Sequence, residues 1–83
     1  MNIYLCSQNE NSGYDTYDSF ICAAKDEESA RNILPDSDYP NGNEWGEEWA
    51  NWCSSPAHVD VELIGVAGDD VKHGLILASF NAG

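Results

Sequence analysis

Fifteen acidic side chains face only three basic ones in this 83-residue chain, a formal net charge of -12. No other feature constrains the fold as strongly. Ionised carboxylates stay in water unless they are paired, and most of these have no cation within reach. The acids must therefore lie outside, and the remaining residues must build the core. The same charge opposes compaction through self-repulsion. A solvated acidic tail is rejected, because 42% of the residues are hydrophobic and 11% aromatic, ample core material. The length allows one small domain, spanning 1–83.

The sign of the charge excludes whole classes of partner. Direct binding of DNA, RNA or an anionic membrane needs Lys and Arg to neutralise phosphate. No apolar run approaches the ~18 residues of a membrane-spanning helix. Met1-Asn2-Ile3-Tyr4-Leu5-Cys6 has no basic region and no long apolar stretch, so no signal peptide is expected. Cys6, Cys22 and Cys53 are odd in number and widely spaced. They read as reduced thiols of a cytoplasmic protein, with Cys6 and Cys22 acting as small buried hydrophobes.

The order of elements follows from local pattern. Residues 2–7 and 18–24 read as strands, with Gly13-Tyr14-Asp15-Thr16-Tyr17-Asp18 able to extend the second outward. A helix is expected from an Asp26 N-cap, with Glu27 and Glu28 in its first turn and Ala30, Ile33 and Leu34 on its apolar face. Pro35 stops it at Leu34. Residues 35–43 form a turn-rich loop. Trp45, Trp49 and Trp52 fall at i, i+4 and i+7, the spacing of a short second helix over 44–53. Residues 58–67 alternate as a strand, with Val59, Val61 and Leu63 inward and Asp60 and Glu62 outward. The phase slips at Ile64, and Gly65 points to a bulge or a bend there. Leu75–Phe80 is continuously apolar and reads as a central strand. The expected fold is α+β: a mostly antiparallel four-stranded sheet covered by one or two short helices.

Catalytic signatures are missing. His58 and His73 lack a partner motif, and Gly-x-Ser-x-Gly, P-loop and Gly-x-Gly-x-x-Gly patterns are absent, so no enzyme and no cofactor is expected. Cys53-x4-His58 is at most half of a zinc site. The segment Asp36–Glu47 matches a calcium loop at Asp36, Asp38 and Glu47. Pro40 and Asn41 stand where that loop needs an acid and glycine. It reads as a solvated turn, with loose calcium binding the weakest alternative.

The acids as a set carry the stronger signal. Unpaired carboxylates on a rigid surface create a negative field that steers toward a basic partner. The candidates are Asp26, Glu27, Glu28, Asp36, Asp38, Glu44, Glu47, Glu48, Asp60 and Glu62. Asp60 and Glu62 share one side of a strand about 7 Å apart, a spacing comparable to successive phosphates along nucleic acid. The tryptophans belong mainly to the core, and Trp45 or Trp49, beside Glu44, Glu47 and Glu48, would be an apolar anchor among the acids if exposed, with Trp45 the candidate.

Size, charge and two segments carry a resemblance. Gly13-Tyr14-Asp15-Thr16-Tyr17-Asp18 and Leu77-Ala78-Ser79-Phe80-Asn81-Ala82-Gly83 read like segments of the very small acidic proteins of phages and mobile elements. In this style the chain resembles anti-CRISPR inhibitors that act as DNA mimics. Those inhibitors have unrelated folds and supply no residues to transfer. The resemblance implies a stoichiometric binder in a bacterial cytoplasm that occupies the nucleic-acid path of a host defence complex, such as a CRISPR effector subunit. The competing expectation is a small phage structural or accessory protein whose acidity serves solubility.

Self-repulsion on this scale has a measurable signature. The melting temperature should rise between low and moderate salt as the acids are screened. A melting temperature that ignores salt would show that the charges are already compensated.

Overall fold

The computed structural model describes residues 1–13, 15–35 and 51–81. Four strands form one antiparallel sheet: β1 (Asn2–Ser7), β2 (Thr16–Ala24), β3 (Asp60–Val66) and β4 (Gly74–Asn81). Their spatial order is β3-β1-β2-β4. The β1–β2 hairpin therefore fills the centre, and the two later strands flank it. One helix, α1 (Glu27–Arg31), and a 3-10 turn over Pro56–His58 complete the described elements. The α+β class and the antiparallel four-stranded sheet are as expected from the sequence.

Alternation along the hairpin divides the sheet into two unlike faces. Tyr4 and Cys6 of β1 and Phe20, Cys22 and Ala24 of β2 face the core, where they meet Ala30, Trp52, Cys53 and Val59. Only Phe20, Trp52 and Tyr4 are large among these. Alanine and cysteine fill the remainder, so α1 can approach the sheet closely. The Phe20 and Trp52 rings lie 5.2 Å apart in a tilted contact. One backbone and one side-chain hydrogen bond seat this contact: Tyr17 N–H donates to Asn51 O at 2.8 Å, and Asn11 Nδ2 donates to Trp52 O at 3.1 Å.

Buried Gln8 organises the hairpin loop. Its Nε2 donates to the carbonyls of Asn11 (2.7 Å) and Tyr17 (2.8 Å), and its Oε1 accepts the Asn11 N–H (2.8 Å). Thr16 Oγ1 closes the turn on Gly13 O at 2.7 Å. Asp15 takes a left-handed φ of 58°, a conformation that aspartate tolerates better than most side chains. Gly74 opens β4 at φ 138°, where a side chain would be strained.

The three cysteines are free and buried. The neighbouring Cys22 thiol and burial together push the Cys6 thiol far above its ordinary range. Burial likewise raises Cys53. These sulfurs act as core volume, as the sequence reading expected for Cys6 and Cys22.

Several expectations need correction. The apolar run of β4 does not make it central, because among the described strands β4 lies at the edge. Leu75 and Ala78 pack on the core, while Ile76, Leu77 and Phe80 are exposed. Helix α1 ends at Arg31 instead of Leu34. Asn32 donates its side-chain amide to Glu28 O at 2.8 Å and takes the acceptor that would continue the helix. Ile33 and Leu34 still pack on the core, from irregular backbone.

Strand β3 begins at Asp60 because Ser55 caps the 3-10 turn, accepting the Ala57 N–H at 3.2 Å. Val59 and Val61 point inward as expected, but Leu63 is 59% exposed and lies outside the core cluster that the two valines join. The bulge falls as expected: Ile3 pairs with Gly65 and Tyr4 with Leu63, leaving Ile64 extra. Asn51–Cys53 is irregular, which removes the end of the expected second helix. Its remainder, 44–50, lies outside the described residues.

This core concentrates stability in one contact. Trp52→Ala should cost about 3–5 kcal/mol, comparable to the whole stability of a small domain. Chemical denaturation followed by circular dichroism should find the variant largely unfolded. A variant that retained the native midpoint would show that Trp52 does not hold the core.

Candidate acidic interface

The sequence-predicted acids separate into three groups. Asp26, Glu27 and Glu28 sit at the start of α1, which packs on the core face of the sheet. Asp60 and Glu62 alternate with inward-facing Val61 and so project from the opposite face. Asp36, Asp38, Glu44, Trp45, Glu47 and Glu48 lie outside the described residues, as does the calcium-loop match over 36–47. The five described acids are all exposed, but the fold does not gather them on one face.

The α1 acids already have local partners. Asp26 is the N-cap, and its Oδ1 accepts the Ser29 N–H at 2.8 Å. The Ser29 backbone and side chain hold the Asp26 carboxyl below its ordinary value. Glu27 lies 3.3 Å from Arg31 Nη2, and Glu28 accepts from the Asn32 amide at 3.3 Å. Arg31 also donates Nη1 to the carbonyls of Val59 (2.5 Å) and Pro56 (3.4 Å), tying α1 to the approach to β3. Thus one of the chain's three cations has a structural task, while Lys25 and Lys72 are exposed.

Asp60 and Glu62 differ from that trio. Strand pairing places them at one end of two rows that cross the open face. Asp60 lines up with Ser7, Ser19 and Ser79, and Glu62 with Leu5, Ile21 and Leu77. Beside the second row lies a shallow groove of about 280 Å³, lined by Leu5, Ile21 and Leu77 with Ser19 and Ser79 on its polar side. Among the described residues neither Asp60 nor Glu62 makes an ion pair. The face thus grades from two unpaired carboxylates on β3, through a hydroxyl row and an aliphatic row, to uncharged β4. Sequence reading found the two acids but missed the rows. The available signal was Ile3, Leu5 and Ser7 alternating with core-facing Tyr4 and Cys6.

A third acidic feature lies at the hairpin loop. Ser54 Oγ donates to Glu10 Oε1 at 2.6 Å, and His58 Nδ1 lies 3.3 Å from Glu10 Oε2. The Ser54 hydroxyl, followed by His58, holds the Glu10 carboxyl below its ordinary value. The Ser54 proton goes to Glu10, so Ser54 is not paired with His58 as an activated nucleophile would be. The Cys53 thiol donates to Ser55 O at 3.4 Å. Among the described residues no three His, Cys, Asp or Glu side chains gather as a metal site. No described helix is long and apolar enough to cross a membrane.

Comparison with protein-family models, curated proteins and solved structures finds no match to this chain.

The Asp26 cap has a defined pH signature. Its carboxyl is held below the ordinary 3.8, so its stabilisation is present above that value and lost as pH falls through the folded-state pKa. Asp26→Ala should lower the melting temperature at neutral pH, and the gap to the parent should narrow as pH drops below 3.8. Thermal melts at several pH values check this. A gap that stays constant would assign the cap's effect to something other than the carboxylate.

Proposed function

We propose that this chain is a non-enzymatic acidic inhibitor, similar in action to DNA-mimic anti-CRISPR proteins. In this reading its carboxylates replace phosphates against Lys and Arg of a basic nucleic-acid-binding host protein, such as a CRISPR effector subunit in a bacterial cytoplasm. The observation that supports it best is the pair Asp60 and Glu62. Among the described residues they stand exposed and without ion pairs, on a bulged edge strand whose register is fixed by pairing with β1. A rigid array of unpaired acids favours charge-led association, because little side-chain ordering remains to oppose binding. Glu27 and Glu28 supply further exposed charge on the helix side.

A second reading is a small phage accessory protein whose acidity serves solubility. The exposed Leu63, Ile64 and Val66 on β3 and Ile76, Leu77 and Phe80 on β4 favour it, since apolar edges suit assembly. It predicts no salt-steep affinity for basic proteins.

The two readings separate in a pull-down from host lysate at ~50 and ~300 mM salt, because screening weakens charge-led contacts. The mimic should capture a nucleic-acid-binding complex at the lower salt and release it at the higher. The combined variant Glu27→Gln, Glu28→Gln, Asp60→Asn, Glu62→Gln keeps the Asp26 cap and should lose that capture while melting no lower than the parent. Undiminished capture by this variant would sink the charge-mimic reading.

A further inference from the structure

The two edges of the sheet are unequally defended. An edge strand presents unpaired N–H and C=O groups, and natural proteins guard such edges with charge, proline or bulges. β3 carries Asp60 and Glu62 as well as the Ile64 bulge. β4, eight residues long, contains no charged residue and no proline. Its one irregularity is at Ile76, where Ile21 pairs with Leu77 and Cys22 with Leu75. Leu77 is 65% exposed, and Ile76 and Phe80 are each about half exposed.

Charge placement identifies what can pair there. Two copies of a chain with net charge -12 repel across most of their surfaces. Among the described strands β4 is the least acidic edge, because no acid occurs in the sequence from Val71 onward. Among the described residues, the acids flanking β4 are Asp69 and Asp70 before the strand and, on the β2 side, Asp18 and Asp15, which precedes the Thr16 that pairs with Asn81. Lys72 and His73 lie between the first two and β4, and both are exposed. Asp18 is the exposed extra residue of β2 where Tyr17 pairs with Phe80 and Ser19 with Ser79, so it flanks the far end of β4. Antiparallel pairing of two β4 strands brings Lys72 and His73 of each copy toward Asp18 of the other. Parallel pairing brings like groups together. Two-fold antiparallel contact is also the commonest route to a homodimer.

We propose that β4 is a self-association edge, through which two copies join antiparallel into one continuous eight-stranded sheet. The contact leaves Asp60 and Glu62 on the outer edges of the dimer, so it is compatible with either functional reading. Its salt dependence is opposite to that of basic-partner capture: added salt screens the mutual repulsion and strengthens the dimer.

Sedimentation velocity of the full chain from ~10 to ~500 µM tests this, since self-association follows mass action. The expected result is a concentration-dependent doubling of mass that grows with salt. Leu77→Lys should weaken it by about tenfold or more, because the lysine would lie in the contact. Leu63→Lys, on exposed β3, should leave it unchanged. Hydrogen exchange of the parent protein supplies an independent readout: the β4 amides turned away from β2 should be protected in the associated state. This decides the matter even if Leu77→Lys fails to fold by circular dichroism. A monomer at every concentration overturns the proposal, and is also what a strand supplied by a different protein would give. Association lost through Leu63→Lys but not Leu77→Lys, or with freely exchanging β4 amides, overturns it as well. Loss of basic-partner capture with the dimer intact would instead overturn the charge-mimic reading alone.

Discussion

The structure depends on Trp52 seated against Phe20. The sheet has one closed face, and its described cover consists of a five-residue helix, a 3-10 turn and the segment that carries Trp52. A helix so short has no stability of its own and persists only through packing. The same holds for irregular backbone around Asn51–Cys53, which the hairpin secures through Tyr17 N–H and Asn11 Nδ2. The aromatic contact therefore joins the loop end of the hairpin to the cover, while Arg31 joins the cover to the start of β3. Removing either connection separates pieces that are individually unstable.

The scarcity of cations gives Arg31 an importance that its number in the chain hides. A surface ion pair such as Arg31–Glu27 contributes little. The two backbone carbonyls that Arg31 also reaches matter more, because they fix where the chain leaves the 3-10 turn and enters β3. Entry at Asp60 then determines which β3 residues face outward. A one-residue slip would turn Asp60 and Glu62 toward the core. The candidate acidic interface thus inherits its orientation from a cation on the other face of the sheet.

What was legible in the sequence was local. Alternation in β3, the Asp26 cap and the phase slip at Ile64 each arise from neighbouring residues, and each appears in the structure. Helix length was misread because Asn32 competes for the Glu28 carbonyl, a side-chain effect that apolar spacing does not record. The place of β4 was misread for a different reason. An unbroken apolar run normally marks burial on both faces, yet strand order is a long-range property, and this chain puts its hairpin in the middle. The rows across the open face depend on that order too. Serines at 7, 19 and 79 look unrelated until three strands are in register.

Once the order is known, the apolar run of β4 needs an account that burial cannot supply. The chain places acids in its loops, its helix and its other edge strand, so charge is the ordinary solution to exposure in this protein. Leaving an eight-residue edge strand with exposed Ile76, Leu77 and Phe80 and no charge is a departure from that solution. An uncharged edge lowers solubility unless it is covered, and a net charge of -12 restricts what can cover it without opposing like charge. The two properties act together. Strong negative charge elsewhere discourages non-specific aggregation, and the uncharged edge leaves one direction in which ordered pairing can proceed. The open face adds to this asymmetry, since its carboxylates lie at the β3 end and its aliphatic groove reaches Leu77 at the β4 end. A partner recognised through charge would therefore approach from β3, and a contact formed through backbone pairing would approach from β4, so both can be occupied at once.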